Sequence, residues 1–286
     1  GCFHACAYCY ARPSHQYWGF GAGTDFDRKI VVKTNVAERL HDELRAPRWQ
    51  GHPIVFSGNT DCYQPLEASY ALTRACLKEC LEVKNPVGII TKGKLVRRDL
   101  DLLAELARVA KVHVTISVPF VDDAIARAIE PFASPPSTRL QTLRMLADAG
   151  VACGVSLGPV IPGLNDDQIP EILERAHEAG ATSAFMILLR LPREVAEVFE
   201  SRLREAFPLR ADKVRHAIEE MRGGRLNDPR FGSRMRGNGP RWQLVESLFR
   251  STMRRLGMQI RESSMDGELA GTSTYERPKR QLTLFE

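Results

Sequence analysis

Between Ile30 and Phe207, short runs of β-branched and other apolar residues alternate with longer stretches whose apolar positions recur every three to four residues. A period near two followed by one near 3.6, repeated along a chain, predicts β/α units. The predicted strands are Lys29 to Lys33 (KIVVK), Pro53 to Phe56, Val87 to Thr91 (VGIIT), Val112 to Val118 (VHVTISV), Val151 to Leu157 and Ser183 to Leu189 (SAFMILL). The predicted helices run from an Asn35 N-cap to Leu44, from Leu66 to Val83, from Leu95 to Val109, from a Ser137 or Thr138 cap to Ala149, from Asp166 to Ala179, and from Glu194 to Phe207. Apolar strands each followed by a helix predict an α/β fold with a parallel sheet, either a barrel or a doubly wound sheet. Both architectures place chemistry on the loops at the C-terminal strand ends. Those loops read SGNTD, TKGK, PFVDD, GPVIPGLND and RLPRE, rich in glycine and polar groups.

The rhythm stops after Phe207, which predicts a boundary near Leu209 and divides the chain into 1–209, a basic and mainly helical extension over 210–262 with a helix from Trp242 to Leu256, and a flexible tail over 263–286. From Arg210 to Arg261 there are 13 basic and 5 acidic residues, a balance of +8 in a chain whose net charge is +5. Within it, Arg222, Arg225, Arg230, Arg234, Arg236 and Arg241 stand against a single acid, with Phe231 and Trp242 beside them. That composition suits phosphate contact and base stacking, so nucleic acid is the expected partner. Arginines that pair with acids of the barrel are the alternative.

With 286 residues, 43% hydrophobic and 26% charged, the chain is neither disordered nor collagen-like. No apolar run approaches the roughly 18 residues of a membrane span, and no secretory leader opens the chain, so a cytoplasmic protein without membrane contact is expected. The chain opens on Gly1 rather than Met, and a preceding segment is expected. Seven cysteines cannot all pair within one chain. Cys76 and Cys80, one helical turn apart, and Cys153, inside a strand, read as core.

Cys2, Cys6 and Cys9 are different, because three thiols at intervals of four and three in a loop can converge on one metal centre. Structural zinc needs a fourth ligand, which His4 or His15 would supply. A four-iron cluster held by three cysteines leaves one iron open to a small molecule. Both remain open on spacing alone.

The CxxxCxxC spacing with Tyr8 before the last cysteine resembles the signature of radical S-adenosylmethionine (SAM) enzymes, and GCFHACAYCYARP followed by the strand and helix alternation is similar to their spore photoproduct lyase-like branch, the DNA repair photolyase type. The resemblance covers Gly1 to Phe207. It implies a partial (β/α)6 barrel whose first core strand precedes Gly1, with KIVVK as an accessory strand. It implies a 4Fe-4S cluster on Cys2, Cys6 and Cys9, and S-adenosyl-L-methionine chelating the open iron through its amino and carboxylate groups. One-electron cleavage then yields a 5′-deoxyadenosyl radical, and an electron donor such as flavodoxin or ferredoxin is implied. The implied cofactor positions are Tyr8 near adenine, Ser57, Gly58, Asn59, Thr60 and Asp61 near the methionine amino group, Ser117 at the ribose, and Val160, Pro162 and Leu164 over adenine. Many members carry Gly-Gly-Glu where SGNTD stands, so the carboxylate either comes from Asp61 or is absent. Cys62 is the candidate hydrogen donor, although spore photoproduct lyases carry that cysteine before the corresponding acid, not after it.

The chain ends RQLTLFE, placing Gln281, Leu282, Leu284 and Phe285 on a tail without a core of its own. This resembles the peptide by which bacterial repair factors dock on the sliding clamp; a tail folded back on its own barrel is the alternative. The leading expectation is a radical SAM enzyme, a lyase acting in DNA repair or base processing with clamp recruitment. A radical SAM enzyme modifying RNA, a nucleotide or a protein is the second, and a non-catalytic iron-sulfur nucleic-acid or clamp adaptor the third.

Overall fold

A computed structural model of the chain describes residues 1–261 and 272–278. Six parallel strands form one sheet in sequential order: β1 (Ile54–Phe56), β2 (Val87–Thr91), β3 (Val112–Ser117), β4 (Cys153–Val160), β5 (Ser183–Leu188) and β6 (Gln259–Ile260). The order never reverses, so there is no switch point of the doubly wound kind, and the sheet is that of a partial barrel.

Alternation along the strands separates the two faces of the sheet. Val112, Val114 and Ile116 of β3 and Cys153, Val155 and Leu157 of β4 join the main core with the covering helices. Their sequence neighbours point the other way and are small and polar: His113 lies beside Gly88, Thr115 beside Gly154, Ser117 beside Ser156, and Gly154 beside Ser183. Only glycine fits at 154, since a Cβ there would stand 2.4 Å from Ser183 Oγ and 3.1 Å from His113 Nε2. The inner face is therefore packed tightly at its N-terminal end and opens toward the C-terminal end.

The helices cover the outer face as their periodicity predicts. Leu100–Val109 buries Leu102, Leu103 and Leu106, and Ile169–Glu178 buries Ile169, Ile172, Leu173 and Ala176. The helix expected from Leu66 to Val83 is broken into Glu67–Tyr70 and Leu72–Glu82 at Ala71, which has φ of +49°. The Glu67 carboxylate reaches across the break and accepts the backbone N–H groups of Thr73 and Arg74, closing the first turn of the second helix. At Pro136–Asp148 the cap position is Pro135. Ser137 instead donates its hydroxyl to Asp123.

KIVVK is not a strand, because it has no ladder partner among the described residues. The backbone there runs past the opening loop, with Cys2 N donating to Phe26 O just before it at 2.9 Å. The proposed boundary near Leu209 does not divide the core. Val214 and Ile218 of the helix Ala211–Met221 pack with Phe199 and Leu203, while Trp242, Val245, Phe249 and Met253 of the helix Gly239–Arg255 join the main core. Two residues beyond that helix form β6, added to the sheet beside β5. The reading of 263–286 as a flexible tail is corrected at 272–278. Tyr275 donates its hydroxyl to Leu44 O (2.6 Å), Glu276 N donates to Val83 O (2.8 Å), and Arg277 donates to the carbonyls of Ala46, Pro47 and Trp49. No helix of the described residues is long and apolar enough to cross a membrane.

Candidate active site

A cavity of about 380 Å³ opens at the C-terminal strand ends. Its walls come from every unit of the sheet except β6: Ser57 to Asp61 after β1, Ile90 to Lys92 at the end of β2, Ser117 of β3, Ser156, Gly158 and Pro159 of β4, and Phe185 and Ile187 to Arg190 at β5. Cys2, Cys6 and Cys9 face the same cavity, as do His4, Tyr8 and Tyr10. The predicted metal ligands and the predicted strand-end loops thus converge on one space.

The loop that carries the cysteines is held by a residue to which the sequence assigned no role. Arg12, 1% exposed, donates to the carbonyls of Ala5, Cys6, Ala22 and Gly23 and forms an ion pair with Asp27 at 2.9 Å. Its guanidinium lies 5.2 Å over the Phe26 ring. Ala5, between Cys2 and Cys6, adopts a left-handed φ of +53°. On the far side Ala7 N donates to Ile129 O and Phe132 N to His4 O, docking the loop onto 129–132. From that segment Glu130 receives the Tyr8 hydroxyl and Arg139, and Arg139 also donates to Ser117 O at 3.0 Å. One buried network therefore connects the cysteine loop to the end of β3.

The three thiols are free, and burial pushes Cys2 up to about 12 and raises Cys6 and Cys9 as well, so apo thiols stay protonated and metal binding must release their protons. They do not close on a point. Among the described residues the only set of three such donor groups within 4.8 Å of one another is His41, Glu79 and Glu82, on the surface. A tetrahedral zinc site with Zn–S bonds of about 2.3 Å would bring its sulfurs to roughly 3.8 Å apart. The histidines offered as a fourth zinc ligand are otherwise placed: His4 Nδ1 faces Asp61 at 3.4 Å, and His15 is enclosed between Phe20 and Phe26. Three thiols that do not all lie within 4.8 Å of one another, lining a cavity, fit a 4Fe-4S cluster with an open iron and S-adenosyl-L-methionine beside it.

Ser57, Gly58, Asn59, Thr60 and Asp61 all line the cavity. Ser57 has φ of +75°, which turns the chain back over the strand end, and its Oγ accepts Cys62 N at 2.9 Å. Gly58 O accepts the Tyr10 hydroxyl at 2.8 Å. Asp61 is not a free ligand. It accepts Thr91 Oγ1 (2.6 Å), Lys92 N (2.7 Å) and Tyr63 N (2.9 Å), and it faces His4. Burial would raise its pKa, but His4 and these donors outweigh it and hold the carboxyl well below the usual carboxylate range. Its role is to tie the loops after β1 and β2 to the cysteine loop.

Other predicted positions are corrected. Val160, Pro162 and Leu164 are buried away from the cavity. Asn165 locks that turn by accepting Ile161 N and donating to Pro119 O and Pro159 O, and Gly158 and Pro159 line the cavity instead. Cys62 is beside the cavity but not on its wall; it packs against the main core. Of the six arginines, Arg222 is buried and donates to the carbonyls of Leu188, Leu189 and Arg236. Burial lowers its pKa to about 10. Arg241 pairs with Asp166 at 3.2 Å and Arg230 with Asp228 at 3.0 Å. Trp242 is core, unavailable for stacking, whereas Phe231 is 88% exposed. Arg225 and Arg236 are exposed, and Arg234 reaches the cavity. Sequence reasoning missed Arg190, which follows β5 and lies 5.4 Å from the Tyr10 ring; the polar loop RLPRE was the available signal. Gln281, Leu282, Leu284 and Phe285 lie outside the described residues.

The chain is 41% identical over 193 residues to an uncharacterized protein of Mycobacterium tuberculosis, a match covering 67% of this chain and 57% of that protein, so the chain spans little more than half the length of that relative. Among solved structures it is similar to a mutant of spore photoproduct lyase (TM-score 0.58, 16% identity, 90% of this chain and 72% of that one). It is also similar to a mutant of spore photoproduct lyase with bound AdoMet and dinucleoside spore photoproduct (TM-score 0.57, 16% identity, 91% and 73%). These likenesses establish the fold. The model of the radical SAM superfamily matches residues 1–176, which include all three cysteines and the strand-end loops of the cavity as far as β4, and the chain belongs to that superfamily.

Proposed function

We propose that this chain is the catalytic part of a radical SAM enzyme that processes or repairs a base of DNA. The observation that carries the reading is the convergence of Cys2, Cys6 and Cys9 with the C-terminal ends of five parallel strands on one cavity. When bound, the reduced cluster and S-adenosyl-L-methionine supply one-electron carbon-sulfur cleavage and a carbon-centred radical able to abstract hydrogen. The chain's own residues position and enclose. Cys2, Cys6 and Cys9 hold the cluster, Arg12 fixes their loop, and the turn from Ser57 to Thr60 offers backbone groups to the cofactor's amino end. Tyr8 is fastened through Glu130 and Arg139 to the strand that carries Ser117, so the adenine and ribose ends of the site are braced by one network. Apolar side chains of Phe185, Ile187 and Leu189 line the cavity and would help keep water from a radical formed there.

The DNA part of the reading is supported by the +8 balance of residues 210–261 and by the dinucleoside bound in the similar solved structure. Recruitment to the sliding clamp through Gln281, Leu282, Leu284 and Phe285, and reduction by a flavodoxin or ferredoxin, belong to the same proposal.

Anaerobic reconstitution with iron and sulfide, reduction by dithionite and assay of 5′-deoxyadenosine test the first part. Wild-type protein is expected to yield it and Cys6→Ala to yield none. Zinc bound in place of iron, or a full iron complement without deoxyadenosine even when DNA is added, overturns the assignment. Irradiated DNA, with and without clamp, then tests the substrate.

A further inference from the structure

Two guanidinium groups at the cavity, those of Arg190 and Arg234, form no ion pair with a carboxylate among the described residues. Among the described residues, Arg190, at the end of β5, makes no ion pair; its guanidinium meets the Tyr10 ring at 5.4 Å and the Met235 sulfur at 3.8 Å, and its Nε is buried without a hydrogen-bond partner there. Arg234 likewise makes no ion pair among the described residues, and rests over the exposed Phe231 ring at 4.9 Å. Both line the cavity. They are close enough that Arg234 and burial together lower the Arg190 pKa, burial being the larger cause. The nearby acid, Asp228, is taken by Arg230 and Ser233. Holding two guanidinium groups together, partly out of water and without a counter-charge, costs stability unless an anion completes the site.

The segment that delivers Arg234 is built into the barrel. Leu188 N donates to Met235 O at 3.0 Å, and Arg222 ties Arg236 O to the carbonyls of Leu188 and Leu189. The extension thereby places its arginine against the strand end instead of leaving it on a loose loop. Tyr10, about half exposed, and Phe231 supply aromatic faces at either side, and planar rings beside a pair of guanidinium groups suit a base next to its phosphate.

We propose that Arg190 and Arg234 form a phosphate clamp at the cavity mouth, seating a backbone phosphate of the DNA strand whose base enters the cavity, with Tyr10 and Phe231 as flanking stacking surfaces. This rests on the nucleic-acid reading given above. It separates Arg190 and Arg234 from Arg222, Arg230 and Arg241, whose charges are already engaged inside the protein.

The reconstituted protein is titrated into fluorescently labelled single-stranded dT10 and followed by anisotropy at several salt concentrations. Binding of S-adenosyl-L-methionine is measured by equilibrium dialysis, and pyrophosphate binding by calorimetry. Arg190→Ala/Arg234→Ala is expected to weaken dT10 binding about tenfold or more and to flatten the salt dependence by about 1.4 in log–log slope, for two single-strand phosphate contacts. Arg190→Lys/Arg234→Lys, which keeps charge without the fork, recovers part of the loss. Unchanged dT10 binding by the alanine variant overturns the clamp while leaving the nucleic-acid reading standing. Unchanged dT10 binding with lost S-adenosyl-L-methionine binding also overturns it and assigns the pair to the cofactor carboxylate. If wild-type protein binds pyrophosphate but not dT10, the DNA reading itself falls and takes the DNA clamp with it.

Discussion

The guanidinium of Arg12 donates to the carbonyl of Cys6 through both Nε (3.2 Å) and Nη2 (3.0 Å), so the backbone of the middle cysteine is fixed by a side chain only six residues away. The same group serves the carbonyls of Ala5, Ala22 and Gly23. Lysine cannot reproduce that fork, and alanine leaves several buried carbonyls without donors at about 1–3 kcal/mol each. Arg12→Ala is expected to lower stability by about 3 kcal/mol or more and to reduce iron content after reconstitution, with Arg12→Lys in between. Denaturant titration and iron analysis check this; full cluster loading in Arg12→Ala would show that the loop organises itself around the metal.

Glu130 and Arg139 form an ion pair with neither side chain appreciably exposed. Removing one partner of such a pair strands a buried charge, at about 3–5 kcal/mol. Arg139→Ala and Glu130→Gln are each expected to cost this much, the first by stranding the Glu130 carboxylate and releasing Ser117 O, the second by leaving the buried Arg139 charge against a neutral amide. Tyr8→Phe keeps the ion pair and loses a single hydrogen bond, about 1 kcal/mol. Unfolding midpoints that fail to rank in this order would separate Tyr8 from the network.

The inner-face residues explain which parts of this protein could be read from its sequence. VGIIT and VHVTIS announce their strands through β-branched residues, and the loops after them fall at the cavity as barrel geometry requires. KIVVK has the same propensity but no neighbouring strand, and propensity without a ladder does not make a sheet. β6 escapes notice because two residues carry no periodicity. The cysteine spacing identifies the metal ligands locally. Arg222 misleads because a polar residue in a polar loop looks the same in sequence whether it faces a ligand or satisfies buried backbone. Arg12 is missed for the same reason.

Cys62 packs beside the core, its backbone N–H held by Ser57, off the wall of the cavity. Burial, then the neighbouring Asp61, pushes its thiol far up and keeps it protonated, so what argues against a hydrogen-donor role is its place off the cavity wall and not its ionisation. Cys62→Ser is expected to leave the yield of 5′-deoxyadenosine and of substrate-derived product close to wild type. A product distribution that shifts toward unquenched radical by-products would return Cys62 to the hydrogen-donor role.

The tail residue Tyr275 closes over Gly51, whose φ is +75° and where a Cβ would stand 2.5 Å from the Tyr275 Cβ. Its hydroxyl reaches Leu44 O, and Arg277 satisfies three further carbonyls of the same edge. Tyr275→Ala and Gly51→Ala are each expected to destabilise by about 1–3 kcal/mol, through lost burial and through a strained backbone with a steric clash respectively. Because both act at one contact, the double variant should cost less than the sum of the two. Strict additivity in urea unfolding would mean that the tail does not rest on this edge in solution.

His113 sits on the inner face of β3, and burial, aided by the charge of Arg261, pushes its pKa down to about 3. The unfolded chain titrates this ring near 6.5. Between those values the unfolded state binds the proton that the folded state refuses, so stability rises with pH across the interval. The contribution is fully present above about pH 6.5 and lost progressively as the pH falls toward 3, amounting to about 3 kcal/mol between pH 7 and pH 4. His113→Asn removes the titration without adding a large side chain beside Gly154. The variant is expected to show a flatter stability profile than wild type over this range, measured by urea unfolding at fixed pH on apo protein. Parallel profiles would mean that the ring accepts its proton inside the barrel, and that the inner face at this depth is open to water.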